Sequence, residues 1–104
     1  MNTRATLKIN EKGHLDIGGA DAVDLAKSFG TPLYVLDEQY MRDMCAIYRD
    51  TIQSDYEGNG LVLYASKALS CLAVYKIADS ENIGVDVVSG GELFTAIRAG
   101  FPAD

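Results

Sequence analysis

The chain has 104 residues, a formal net charge of −6 and 48% apolar residues. That length allows one small domain at most, and the acidic balance disfavours nucleic acid and anionic membrane as partners. No apolar run approaches the roughly 18 residues that cross a bilayer, and Met1 to Asn10 has charges but no signal-peptide core, so the expected compartment is the cytoplasm.

Leu7, Ile9, Leu15 and Ile17 alternate with polar residues, and Asn10-Glu11-Lys12-Gly13 can turn between them, which predicts two short strands. His14, just past that turn, reads as a solvated turn residue, because no second metal-type residue is spaced to join it. Asp21 is placed to cap a helix over Ala22 to Phe29, with Leu25 and Phe29 on one face and Gly30 as its stop. Thr31 to Leu36 is the next predicted strand, with Pro32 at its start, where a missing N–H does least harm. Asp37 caps a longer predicted helix through about Ile52, whose stripe of Tyr40 or Met41, Met44 or Cys45, Tyr48 and Ile52 is read as core. Cys45 and Cys71 lack metal-ligand spacing and read as buried thiols.

Leu61-Val62-Leu63-Tyr64-Ala65 is an apolar run bounded by Gly58-Asn59-Gly60, and it leads to Lys67. It reads as a strand buried on both faces in a parallel sheet, with the lysine at its C-terminal end. Ser70 is the expected N-cap of a helix through Ala78, with Val74, Ile77 and Ala78 inward. Gly84 to Ser89 is a second buried-type strand, and Gly90-Gly91 opens a helix over Glu92 to Ala99 that packs through Leu93, Ala96 and Ile97. From Leu61 onward the rhythm is strand, helix, strand, helix, as in a doubly wound sheet or a (β/α)8 barrel. A barrel needs about 250 residues, so the chain is expected to be the N-terminal piece of a longer protein. There is no internal repeat, linker or low-complexity segment.

Three places carry chemistry-bearing residues. A lysine at a strand end either reaches into solvent or, at the rim of a dry interior, serves as an amine nucleophile toward a carbonyl carbon. Asp86, flanked by Val85, Val87 and Val88, is either a buried carboxylate in need of a cationic partner such as Lys67, or a strand-edge residue facing water. Ser89-Gly90-Gly91-Glu92 is either a capping box or a small-residue turn that lets a ligand approach the backbone.

Tyr64-Ala65-Ser66-Lys67-Ala68, followed by Gly84-Val85-Asp86-Val87-Val88-Ser89-Gly90-Gly91-Glu92-Leu93, resembles the alanine-racemase-like, fold-type III pyridoxal-phosphate decarboxylases. Among these it most resembles those acting on diaminopimelate. Gly30 to Val35 and Ala99-Gly100-Phe101 fit the same pattern in order and spacing. The resemblance implies a pyridoxal-phosphate-binding (β/α)8 barrel that begins at residue 37 and is incomplete at 104. It also implies that residues 1–36 supply strands and a short helix associated with a separate β domain. It makes Lys67 the catalytic lysine that holds pyridoxal 5′-phosphate covalently. Asp86 and Glu92 become carboxylates near that lysine and the cofactor, and Tyr64, Ala65 and Ser89 line the pocket. The implied reaction is decarboxylation of meso-2,6-diaminopimelate to L-lysine by a homodimer. The family's phosphate loop, its acidic partner for the pyridine nitrogen and its substrate-binding arginine fall outside these residues, so this chain alone is expected to be inactive. Alternatives are a related decarboxylase of ornithine, arginine or carboxynorspermidine, a non-catalytic pyridoxal-phosphate barrel protein, or an unrelated α/β binding module.

Overall fold

The computed structural model describes residues 6–103. Residues 1–5 and 104, the outer ends of the two expected parts, lie outside the described residues. The chain divides into two compact units, 1–41 and 42–104. Among the described residues no helix is long and apolar enough to cross a membrane.

In the first unit β1 (Leu7–Ile9), β2 (Leu15–Ile17) and β3 (Ala20–Asp21) form an antiparallel sheet in that order. Leu7 is opposite Ile17, Ile9 opposite Leu15, and Asp16 opposite Asp21. The β1–β2 turn is shaped by one side chain: Asn10 Oδ1 accepts from the N–H groups of Lys12 and His14, both at 3.0 Å. α1 (Ala22–Phe29) follows at once, capped by Asp21 and ended by Gly30 at φ 81°, as its sequence predicts.

Two expectations fail in this unit. His14 is not simply solvated: its Nδ1 lies 2.9 Å from Asp21 Oδ2. Asp21 serves two purposes at once, which helix-cap reasoning alone does not reveal. Residues 31–36 are not a strand: 31 and 32 form a bend and 33–36 have no regular structure. Their β-forming composition is real, yet a strand exists only through a hydrogen-bonded neighbour, and none of the described strands pairs with this segment. Leu33, Tyr34, Val35 and Leu36 are all exposed.

α2 (Glu38–Asp55) begins under the Asp37 cap, whose Oδ1 accepts from Tyr40 N at 3.0 Å. Its expected core stripe is not buried; no residue of α2 is. In the second unit Met44, Ile47, Tyr48 and Ile52 instead line an open groove with Leu61 and Val62. The apolar spacing correctly marks a face, but a face is buried only where something covers it.

The second unit is built on β4 (Leu63–Ala65) and β5 (Gly84–Asp86), which pair in parallel. α3 (Leu72–Ser80) and α4 (Gly90–Arg98) complete it. The core is Val74, Tyr75, Ile77 and Ala78 of α3, with Ile83 and Ala96. The inward trio expected in α3 is therefore correct, and Tyr75 joins it. The expected strand from Leu61 begins at Leu63 and is not buried on both faces: Leu63 is 50% exposed, and Leu61, just before it, 75%. With a single neighbouring strand, one edge and much of one face stay open. Leu93 and Ile97, expected to pack α4, are also exposed; Ala96 alone is buried. The N-cap of α3 is Cys71 and not Ser70. Ser70 is diverted, because its hydroxyl shares a 2.8 Å hydrogen bond with Tyr75 Oη.

Candidate functional site

Parallel pairing places the ends of β4 and β5 side by side. Leu63 is in register with Gly84, Tyr64 with Val85, and Ala65 with Asp86. The chain leaves β4 in a single 3-10 turn, Ser66–Ala68, which carries Lys67. Lys67 therefore stands just past the strand end whose partner is Asp86. Both side chains are exposed, and among the described residues neither has an ion-pair partner. Asp86 is exposed at the end of β5.

The turn itself is anchored on both sides. Ser66 is fully buried, and its hydroxyl has no hydrogen-bond partner. Tyr64 Oη donates to the Leu69 carbonyl at 3.0 Å, closing the backbone around Lys67. Burial pushes the Tyr64 phenol up from its ordinary value of 10.0, so it remains a proton donor at neutral pH. Ala65 is exposed beside it.

At the end of β5 the Ser89–Glu92 turn works as a cap. Ser89 Oγ accepts from Glu92 N at 3.1 Å, and Glu92 Oε2 reaches back to accept from Val88 N at 2.6 Å. The Glu92 carboxylate thus satisfies a backbone donor one residue before the usual capping-box position. Gly90 has open space where a side chain would stand, so the backbone there is approachable. Asp86, Ser89 and Glu92 lie on β5 and the turn that follows it, and Tyr64, Ala65 and Lys67 on β4 and its own following turn.

Sequence reasoning missed two groups. Tyr75 is fully buried and tied to Ser70; its spacing of three from Ala78 is a helical signal for a wider inward face than Val74, Ile77 and Ala78 define. Glu81 gathers two arginines. Arg42 Nη1 donates to Glu81 Oε1 at 2.9 Å, while Arg49 Nη1 donates to Oε2 at 3.1 Å and to the Glu81 carbonyl at 2.9 Å. No local pattern links residues so far apart in sequence. Cys45 and Cys71 are free and half-buried. Burial, then the nearby Glu81 carboxylate, raises the Cys45 thiol, which leaves it a poor nucleophile.

No family model matches the chain. Curated relatives do. The chain is 52% identical over 94 residues to a diaminopimelate decarboxylase of Synechocystis sp., covering 90% of this chain and 20% of that protein. It is 46% identical over 107 residues to the diaminopimelate decarboxylase of Bacillus subtilis, covering 100% of this chain and 24% of the relative. Over nearly its whole length the chain is similar to one stretch of diaminopimelate decarboxylases. A crystal structure of diaminopimelate decarboxylase from M. jannaschii, in co-complex with L-lysine, superposes with a TM-score of 0.80 at 34% identity, covering 100% of this chain and 24% of that one. This α/β chain therefore spans about a fifth to a quarter of the length of the relatives it matches.

Proposed function

We propose that this chain is part of a pyridoxal-phosphate-dependent enzyme that converts meso-2,6-diaminopimelate to L-lysine and carbon dioxide. The observation that carries the proposal is Lys67, an accessible primary amine at the C-terminal end of a parallel strand pair whose other strand ends in Asp86. Parallel α/β folds use that end for ligands and chemistry. The similarity to diaminopimelate decarboxylases supports the substrate, as does the L-lysine in the M. jannaschii co-complex.

The residues present fit such a cofactor. Its aldehyde requires a primary amine with open access, and Lys67 supplies one. Asp86 places a negative charge at the same strand-pair end and favours a cationic group there. Glu92 and Ser89 hold the turn at the end of β5. Tyr64 and Ala65 form the β4 side of the proposed pocket. When bound, the cofactor serves as the sink for the electron pair left as the α-carboxylate departs as carbon dioxide. Lys67 would hold the cofactor through its Nζ, and the same amine, when not so engaged, would hold a proton at the end of the strand pair that carries Asp86.

In the complete protein residues 1–36 belong with a β domain, and 37–104 begin a (β/α)8 barrel. We assign a homodimer in the cytoplasm. The test offers meso-diaminopimelate, ornithine and arginine to the full-length protein with pyridoxal phosphate and measures carbon dioxide. Release from diaminopimelate alone is expected. Release from another of them changes the substrate, and release from none of them refutes the reaction.

A further inference from the structure

We infer that Tyr64, together with the Ser70–Tyr75 pair, is a positioning device that fixes the backbone carrying Lys67. The inference rests on the reading of Lys67 as the cofactor-bearing amine, and it assigns the Tyr64 hydroxyl to the protein backbone.

A 3-10 turn of one repeat has little holding power of its own, because its hydrogen-bond geometry is poor. The turn at Ser66–Ala68 also lacks a side-chain cap at its start, and it runs directly into extended backbone at Leu69, φ −161° and ψ 117°. Its shape therefore has to be imposed from outside, and three anchors surround Lys67. Three residues before it, Tyr64 sends its hydroxyl across the turn to the Leu69 carbonyl, 3.0 Å away. Immediately before it, Ser66 is fully buried and cannot swing out. Three residues after it, the Ser70 hydroxyl is held at 2.8 Å by Tyr75, itself fully buried in α3. The turn is tied at one end to the sheet and at the other to the helix core. Lys67 and Ala68, between the anchors, are exposed.

The consequence follows from the lysine side chain. Four flexible carbons separate its amine from the backbone, so the precision of the amine depends on how firmly its Cα is held. A loose turn widens the region that Nζ explores and lowers the fraction of time it faces an aldehyde correctly. The Tyr64 phenol stays protonated at neutral pH, so the clamp does not open through loss of its donor under ordinary conditions.

The test compares full-length wild type with Tyr64→Phe and Ser70→Ala. Two readouts are taken: amide hydrogen exchange over residues 66–70, and the rate at which Lys67 takes up pyridoxal phosphate, trapped by borohydride and located by peptide mass. Tyr64→Phe keeps the ring and removes only the hydroxyl. Exchange over 66–70 is expected to rise up to about tenfold, as for loss of one hydrogen bond, with slower uptake at Lys67 and unchanged exchange in α3. Ser70→Ala gives the same pattern, weaker. A Tyr64→Phe protein that exchanges and loads like wild type overturns the inference. So does one in which exchange rises everywhere alike, since that is general destabilisation. Failure of the wild type itself to load Lys67 refutes the cofactor assignment, whereas normal wild-type loading with an indifferent Tyr64→Phe refutes only the clamp.

Discussion

His14 Nδ1 stands 2.9 Å from Oδ2 of Asp21, and Oδ1 of the same Asp21 accepts from Val23 N at 2.8 Å to cap α1. Asn10 Nδ2 donates to Asp21 Oδ2 at 2.8 Å and to Asp16 Oδ1 at 2.9 Å. One carboxylate thus joins the β1–β2 turn to the start of the helix. The charges facing this cluster are Lys8, 3.9 Å from Asp16, and Lys12, 3.8 Å from Asp24.

That arrangement predicts an acid-sensitive first unit. Burial alone raises the Asp21 carboxyl, but hydrogen bonds from His14, Asn10 and the N–H groups of Asp24 and Val23 outweigh it and hold it well below its ordinary 3.8. A carboxyl whose folded value is depressed contributes stability that is complete above the unfolded value and is lost as pH falls through the folded one. Amide-exchange protection over residues 7–30 is therefore expected to be flat from pH 7 down to about 4, the ordinary aspartate range, and to decline below it. In Asp21→Asn the decline should flatten, and protection at pH 7 should already be reduced. An Asp21→Asn protein with the wild-type acid profile removes Asp21 as the cause.

Glu81 gives a second electrostatic prediction. It closes the C-terminus of α3, its N–H bonding to the Ile77 and Asp79 carbonyls, while its carboxylate takes Arg42 and Arg49 of α2. Arg42, then Arg49, holds the Glu81 carboxyl below its ordinary 4.5. The sign is that of Asp21: the contribution is full above the ordinary value and fades as pH falls through the lowered one. Glu81→Ala should lower the melting temperature by a few degrees. A double-mutant cycle with Arg42→Ala should show coupling between the two. The coupling should shrink in 1 M salt, where the Debye length is about 3 Å. Additive effects of the two substitutions would show that the arginines merely lie nearby.

Much of this was legible in the sequence, and the omissions have a common cause. α1 was readable because Asp21 and Gly30 act on their own neighbours. The parallel pairing of β4 with β5 was readable because apolar runs separated by a helical pattern leave few arrangements; the register that sets Ala65 opposite Asp86 was not. What failed depended on partners far along the chain, or on a neighbour that composition and periodicity do not reveal. Residues 31–36 have strand composition without a ladder neighbour, and the α2 stripe has the right period without a cover. Leu61 and Leu63 are apolar and exposed for the same reason. The tie between Tyr64 and Leu69 was invisible for a different reason: a tyrosine in an apolar strand gives no sign of where its hydroxyl will go.

Two glycines in the first unit offer an internal comparison. Gly13 and Gly18 both have positive φ, 75° and 57°. A side chain at Gly13 would meet nothing within 4 Å, whereas one at Gly18 would lie 3.0 Å from Asp37 Oδ1, the oxygen that caps α2. Gly13→Ala should cost about 1 kcal/mol, from backbone conformation alone. Gly18→Ala should cost clearly more, about 2 kcal/mol, because it adds displacement of a helix cap. Urea melts of the two variants decide the matter. Equal losses would mean that Asp37 yields without leaving Tyr40 N.

The buried Ser66 hydroxyl allows a prediction of opposite sign. It is completely enclosed and has no partner, and an unsatisfied buried polar group costs about 1–3 kcal/mol. Ser66→Ala removes that group at little loss of volume, so stability should hold or rise by up to about 1 kcal/mol. Lys67 should still take up pyridoxal phosphate, because the anchor is the burial of residue 66 rather than its hydroxyl. Ser66→Val tests the packing instead. It adds a methyl at a fully enclosed position and should lower stability by about 1–3 kcal/mol, as overpacking does, while disturbing uptake at the adjacent lysine. Thermal melts and borohydride trapping on the same samples separate the two effects. Should Ser66→Ala prove as damaging as Ser66→Val, the hydroxyl makes a bond in the complete protein, and the chemistry next to Lys67 includes Ser66.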